Sequence, residues 1–293
     1  MTEFLQQILS GSATGCIYAG LALALVVIYE GTGVMNFAQG ELATLSAFLS
    51  WQMISAGLDF WVAFALSVAA SFVIGVAVEQ VFIRPVQHSM ELTMLIVSLA
   101  LMLAVNSLDG LIWGHIGKSV TSPFGDGAVH LAGTTLTWQQ VGTAGVILST
   151  VGVVAAFFRF TGLGLKMRAA AMNPASAHML AINTGWMLAL AWGFAAATGA
   201  VVGIVITPVT GVHPDVMGGT LLLAFAAFTL GGTGSRSGAL VGGLLVGVLT
   251  DLAIAYVPHL TGDLANLVPF AVIIAVLLLR PQGLFGRLSA VRS

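Results

Sequence analysis

Charge is what this sequence has least of: 7% of its 293 residues are Asp, Glu, Lys or Arg, where soluble domains carry about 25%. Hydrophobic residues make up 58% and the mean hydropathy is +1.03, so there is too little polar surface to coat a globule of this size in water. The chain reads as an all-α polytopic membrane protein. Nine basic residues scattered against eleven acidic ones give a net charge of −2, which offers no phosphate-tracking surface and excludes nucleic-acid binding. The single cysteine, Cys16, excludes an intrachain disulfide and a thiolate metal cluster.

Catalytic motifs are missing as well. There is no G-x-x-x-x-G-K-[ST], and Lys166 after Gly162 and Gly164 does not fit its spacing, so the chain cannot hydrolyse ATP alone. Neither H-E-x-x-H nor G-x-S-x-G occurs. His88 and Glu91 stand three residues apart, but two ligands do not make a metal site. The expectation is a protein that is not an enzyme and holds no metal or cofactor.

What is present is a series of apolar stretches of about 20 residues, the length of one crossing. They fall at 5–28, 35–53, 60–83, 92–113, 141–158, 186–206, 216–230, 238–257 and 262–279, nine in all. The first has Glu3 rather than a basic cluster ahead of it and no A-x-A site behind, and reads as a spanning helix instead of a signal peptide. Short loops rich in Lys and Arg stay cytoplasmic. With the N-terminus out and the C-terminus in, Arg84, Arg159, Lys166, Arg168, Arg236, Arg280, Arg287 and Arg292 all fall inside, and only Lys118 falls outside.

Two of these stretches are weak as membrane helices. The segment 35–53 carries Asn36, Gln39, Glu41, Thr44, Ser46, Ser50 and Gln52, and 216–230 is short and flanked by Gly218, Gly219, Gly231 and Gly232. Both are expected to cross irregularly, with broken or re-entrant forms as alternatives. One lies in each half of the chain, a pointer to an internal repeat and a transport pathway. Gly199 and Gly203, Gly238 and Gly242, and Gly243 and Gly247 are each four apart, a spacing for close helix contact.

The longest cytoplasmic segment is 159–185. Asn173 followed by Pro174 predicts a helix start, with a short amphipathic helix to about Ile182. Ala177, Leu180 and Ala181 share a face, and the small Ala177 and Ala181 suit a helix seated in a partner's groove; a plain connector is the alternative. The longest external segment, 114–140, is a polar surface able to meet a soluble delivery protein, or a solvated loop. Among ionisable residues within spans, Glu41 is placed one to two turns from the inner end of the second, where Asn36 and Gln39 resemble a capping pair. The polar patch then either organises a helix start or lines a pathway or inner gate. Glu79 reads as a snorkelling neighbour of Arg84, and Asp109 (with Asn106) and Asp251 as helix-packing residues near outer ends.

Several motifs converge on one family. The run Gly33-Val34-Met35-Asn36-Phe37-Ala38-Gln39-Gly40-Glu41 resembles a signature of the branched-chain amino acid ABC transporter permeases. The stretch from Gly15 to Leu25 with Tyr18 resembles that family's first span. Gly164, Arg168, Ala169, Asn173, Ala177, Ile182 and Asn183 resemble its coupling segment. Gly231-Gly232-Thr233-Gly234-Ser235 with Gly238 and Gly242 resembles its glycine-rich turn, and the run from Arg280 to Gly286 its C-terminal end. The order matches along nearly the whole chain, and the shorter of the family's two permease types, without an N-terminal extension, fits best. Ala181 departs from the pattern, standing where the family usually has Gly.

The resemblance implies that 1–293 is one transmembrane permease domain and half of a pathway in the bacterial inner membrane. It implies as partners a second permease (a sister chain or a second copy), two ATPase subunits that bind the ATP, a periplasmic binding protein and the surrounding lipid. Asn36, Phe37, Gln39 and Glu41 would belong to the pathway or gate. Gly164, Arg168, Ala169, Asn173, Pro174, Ala177, Ala181 and Asn183 would couple to the ATPase, and Gly231, Gly232, Gly234 and Gly238 would form the turn. Branched-chain amino acids are the implied cargo, with urea or short-chain amides and aromatic or hydroxy acids carried by related permeases. An ion-coupled transporter or a channel is the alternative of another class.

Overall fold

Inside a membrane the helix satisfies every backbone amide within one segment, and helices dominate the computed structural model, which describes residues 2–87, 89–131, 133–232, 234–257, 267–279 and 283–285. In chain order they are α1 (Thr2–Thr32), α2 (Gln39–Ser55), α3 (Phe60–Val78), α4 (Glu91–Trp113), α5 (Trp138–Phe160), α6 (Gly162–Met172), α7 (Pro174–Met179), α8 (Thr184–Thr210), α9 (Gly218–Gly231), α10 (Arg236–Tyr256) and α11 (Leu267–Leu279). A π-helical turn, Glu79–Ile83, and a 3-10 turn, Arg84–Val86, continue α3. An antiparallel hairpin of β1 (Ala128–Leu131) and β2 (Thr134–Thr137) precedes α5. Among the described residues six helices are long and apolar enough to cross a bilayer: α1, α3 with its continuation, α4, α5, α8 and α10.

The two ends of the bundle differ in charge. Arg84, Arg168 and Arg236 gather around the end of α1, where Arg236 donates to Glu30. At the other end lie the start of α1 and the hairpin, with Gln6 exchanging hydrogen bonds with Thr135, and Lys118 pairs its backbone with Val212.

α1 runs toward the basic end and α8 away from it. α1 packs on α10 and α8 packs on α3; α9 lies against α1 and α10, and α2 against α8 and α3; α4 covers α2 and α11 covers α9. The helices α1 to α4 and α8 to α11 therefore share one arrangement in opposite directions, an inverted repeat. Glycines set its closest contacts. A Cβ on Gly15 would stand 2.8 Å from the Gly243 carbonyl oxygen of α10, and in the other half a Cβ on Gly75 would stand 2.5 Å from the Trp192 oxygen of α8. Gly199 and Gly203 seat α2 at Gln39 and Ala43, while Gly238 and Gly242 seat α9 at Gly231 and Ala227.

Several boundaries differ from the sequence reading. α5 starts at Trp138 rather than 141 because Thr137 and Gln140 form a capping box, the T-x-x-Q spacing that marks a helix start. α2 starts at Gln39 rather than 35, and α7 stops at Met179 rather than Ile182. The segment 114–140, expected from the sequence to lie outside, contains the hairpin.

Candidate functional site

The two irregular segments are each unwound at their start, over 33–38 and 211–217, and both begin in the same way. Thr32-Gly33-Val34 and Thr210-Gly211-Val212 end α1 and α8, with the threonine hydroxyls donating to the carbonyls of Ile28 and Ile206 at 3.0 and 3.3 Å. Gly33 and Gly211 have φ of +71° and +72°, a left-handed conformation that costs other residues energy, and the valines that follow are buried. The chain turns back into the bundle there and begins a new helix inside it. The repeated Ile-x-x-x-Thr-Gly-Val is visible in the sequence and is a signal that the sequence reading missed.

Depth can be read along α8. The Arg84 guanidinium lies at Gly185, whereas the Gln39 amide donates to the Ala195 carbonyl at 3.0 Å. At 1.5 Å per residue, Ala195 is about 16 Å from the start of α8 at Thr184. α2 thus begins well inside the bundle, and Glu41 is deeper than expected because the non-helical residues 33–38 have already covered that distance.

Asn36 accepts from the Ala38 amide at 3.0 Å and donates to the Gln39 side chain at 3.4 Å. It shapes the turn into α2, although the N-cap position itself is Ala38. Asn36 and Gln39 are 2% and 0% exposed, so within this chain they fasten α2 to α8 rather than line open space. Phe37 packs on Phe225 of α9 with ring centroids 5.1 Å apart, and Gly40 backs onto Met217 and Leu221. The first turns of two oppositely directed half-length helices therefore meet inside the bundle.

A polar cluster surrounds this meeting point. The Asn106 amide nitrogen lies 3.3 Å from the Glu41 carboxylate, 3.2 Å from the Pro214 carbonyl and 3.3 Å from the Asp215 carboxylate, donating among the three. Asp109, one turn further along α4, is fully buried beside Glu41 and has no hydrogen-bond partner among the described residues. Asp215, Gly218 and Gly219 are exposed, and a Cβ on Gly218 or Gly219 would meet nothing within 4 Å. Among the described residues no group of His, Cys, Asp and Glu is arranged to hold a metal. The carboxylates and the Asn106 oxygen can accept from an ammonium group, while the N-terminal ends of α2 and α9 favour an anion. Asn106, Asp109 and Asp215 were not marked as site residues by the sequence reading, since nothing in one-dimensional spacing links α4 to the segment before α9.

The other intramembrane acids behave differently. Glu79 does not snorkel; it is fully buried, its oxygens lack hydrogen-bond partners among the described residues, and Arg84 is its charged neighbour. Asp251 lies beside Ser10 of α1.

The segment 159–185 forms two helices and two caps. The Thr161 hydroxyl accepts from the Gly164 amide at 3.0 Å, and Gly164 sits so close to Phe157 and Phe158 that a Cβ would fall 2.6 Å from the Phe157 oxygen. Arg168 faces a cavity, and the Ala169 carbonyl accepts from the Asn173 amide at 3.1 Å. The Asn173 side chain caps α7 through the Ser176 amide at 2.9 Å with Pro174 at the first position, and Asn183 caps α8 through Trp186 at 3.0 Å. α7 closes when the Ala181 amide donates to His178 and the Ile182 amide to Ala177, a Schellman cap. Its left-handed position is Ala181, at φ +57°.

Ala177 is 2% exposed, so its face seats α7 on this chain itself and is not free for a partner. The apolar surface turned outward is instead Met172, Met179 and Leu180, 88%, 88% and 74% exposed. In the glycine-rich turn Gly231 and Gly238 are in backbone contact, and Gly232 and Gly234 have φ of +101° and +82°. Leu284 and Phe285 donate backbone hydrogen bonds to Leu230 and Gly231 at 2.8 and 3.1 Å, docking part of the C-terminal motif on that turn. Thr233, 280–282 and 286–293 lie outside the described residues.

Residues 7–277 match the family described as the permease component of the branched-chain amino acid transport system. The chain is 31% identical over 298 residues to the high-affinity branched-chain amino acid transport system permease protein LivH of Salmonella typhimurium, covering 97% of this chain and 96% of that protein. It is 29% identical over 302 residues to the permease protein BraD of the corresponding system in Pseudomonas aeruginosa, with the same coverage. Among solved structures, PsaBC from Streptococcus pneumoniae in complex with Fab superposes with a TM-score of 0.47 at 13% identity, over 95% of this chain and 92% of that one.

Proposed function

Because this chain belongs to the permease-component family of branched-chain amino acid transport systems, we propose that it forms half of the translocation pathway of an ABC importer for branched-chain amino acids or closely related zwitterions. Two ATPases, a second permease and a periplasmic binding protein complete the machine. The basic end faces the cytoplasm under the positive-inside rule, and all nine apolar segments cross, α2 and α9 with their unwound leads. A transport component of this kind is not an enzyme; hydrolysis belongs to the ATPases.

One observation carries this reading: the first turns of α2 and α9 meet about 20 Å from the basic end of α4, counted from Glu91 to Asn106. Asp215 is exposed there on the chain's own surface. A carboxylate at that depth facing hydrocarbon would cost about 2.5 kcal/mol or more. It therefore faces a wetted pathway, together with the open Gly218 and Gly219. An amino acid's ammonium meets the acceptors of Glu41, Asn106 and Asp215 there, and its carboxylate the helix ends, while the aliphatic side chain needs no polar partner. Closure of the ATPases enters through Met172, Met179 and Leu180 and is passed by α6 and α7 to α8.

The test is uptake by the importer reconstituted in vesicles with its ATPases and binding protein. Leucine, isoleucine or valine should accumulate only with ATP inside the ATPase compartment. Uptake that follows an ion gradient without ATP would establish secondary transport instead, and preference for amides or aromatic acids would move the substrate assignment.

A further inference from the structure

A cavity of about 530 Å³ opens at the basic end between α7, α8 and the end of α1. Its wall carries three guanidiniums, Arg84, Arg168 and Arg236, against one carboxylate, Glu30, which faces both Arg236 and Arg168; the buried Glu79 outside the wall is the charged neighbour of Arg84. Arg236 is already engaged, paired with Glu30 and lying 4.0 Å over the Phe158 ring. Arg168 has its Nε buried without a hydrogen-bond partner among the described residues. Arg84 reaches in so that its Nη2 lies 2.5 Å from where a Cβ on Gly185 would stand, and this glycine leaves the guanidinium room. Thr184 and Gly185 also bring the N-terminal, partially positive end of the 27-residue α8 to the wall. Guanidiniums in excess, with apolar Val27, Met94 and Leu188 beside them, do not suit an amino acid zwitterion.

We propose that this cavity is a binding site for a phosphate-bearing anion, and that its setting at the membrane surface makes an anionic phospholipid headgroup the occupant. Guanidiniums match phosphate oxygens in a two-pronged fashion, and basic pockets between membrane helices on the cytoplasmic side hold such headgroups. The headgroup would lie behind α6 and α7, so its binding would brace the segment through which the ATPases act. The site is separate from the Asn106 cluster; its anion binding stands whether or not the transport reading holds, while the bracing role rests on that reading.

The experiment is native mass spectrometry of the purified permease complex exchanged into mixed detergent with phosphatidylglycerol or phosphatidylcholine, with and without inorganic phosphate. Wild type should retain one phosphatidylglycerol per copy of this chain in preference to phosphatidylcholine. The double variant Arg84→Gln/Arg168→Gln should retain about tenfold less, the worth of one charge-assisted contact or more, and Lys118→Gln at the opposite end should match wild type. If the double variant does not assemble, Gly185→Ala, which crowds Arg84 without removing charge, should weaken retention on its own. Displacement of the lipid by inorganic phosphate would support the anion site while assigning a soluble source. Equal retention by wild type and either cavity variant, or no preference for the anionic lipid with no phosphate effect, overturns the proposal.

Discussion

Gly33 and Gly211 are the same hinge built twice: each follows a threonine at a helix end, each precedes a buried valine, and their φ angles are +71° and +72°. A side chain at Gly33 would meet nothing within 4 Å, whereas one at Gly211 would meet the Lys118 oxygen at 3.2 Å. Gly33→Ala should therefore cost only the backbone term, about 1–2 kcal/mol, and Gly211→Ala more. Gly33→Asn should be milder than Gly33→Ala, since Asn visits this conformation more readily. Thermal unfolding of the purified permease checks the order, and a Gly33→Ala variant as stable as wild type contradicts the hinge.

Asn106 holds the segment before α9 to α2 and α4. Asn106→Leu should remove donors from two carboxylates and a carbonyl, costing about 2–3 kcal/mol, and should abolish uptake. Glu41→Gln keeps the shape and removes the charge, so it should reduce uptake while the complex stays assembled. Glu41→Leu with normal uptake would show that the cluster takes no part in transport.

Ala181 occupies a left-handed position that glycine fills without strain. Ala181→Gly should stabilise the end of α7 by about 1 kcal/mol. Hydrogen exchange of the Ala181 and Ile182 amides, which close the cap, should slow about fivefold. Unchanged or faster exchange would mean that the cap does not limit opening there.

The buried Ala177 and the exposed Met179 and Leu180 separate packing from docking. Ala177→Arg should lower the melting temperature, because a charge is forced into the chain's own contact. Met179→Asp with Leu180→Asp should leave melting unchanged and abolish substrate-stimulated ATP hydrolysis. Normal coupling in the second variant would place the docking surface elsewhere.

The charge segregation predicts an orientation, basic end inside, that labelling can test. In a Cys16→Ala background an impermeant thiol reagent should reach Ser119→Cys from the periplasmic side and Ser176→Cys only after permeabilisation. The reverse pattern would invert the chain.

Apolar run length was enough to place the long helices, and the polar residues of 35–53 and the glycines around 216–230 marked the two irregular segments. Their unwound leads were not legible from hydropathy, because Met35, Phe37 and Val216 are apolar residues that it counts as helix; only the repeated Thr-Gly-Val at Gly33 and Gly211 marks them. Asn36, Gln39 and Glu41 were legible through their motif, and the structure buries Asn36 and Gln39 in hydrogen bonds at the start of α2. Asn106, Asp109 and Asp215 escaped because the candidate site joins residues more than a hundred positions apart through an inverted repeat. On α7 the cap was readable from Asn173 and Pro174. The inward face of Ala177 was not, since a short helix shows too few residues to say which side its own chain covers.

The claim that the meeting point of α2 and α9 is the pathway can be tested most directly at Gly219, where a new side chain has open space. In the assembled importer with Cys16→Ala, Gly219→Cys should react with a water-soluble thiol reagent, and the modification should block ATP-driven uptake. Leu103→Cys, on the exposed apolar side of α4, should stay unmodified and active. A Gly219→Cys importer that is unreactive, or that transports normally once modified, would contradict the account.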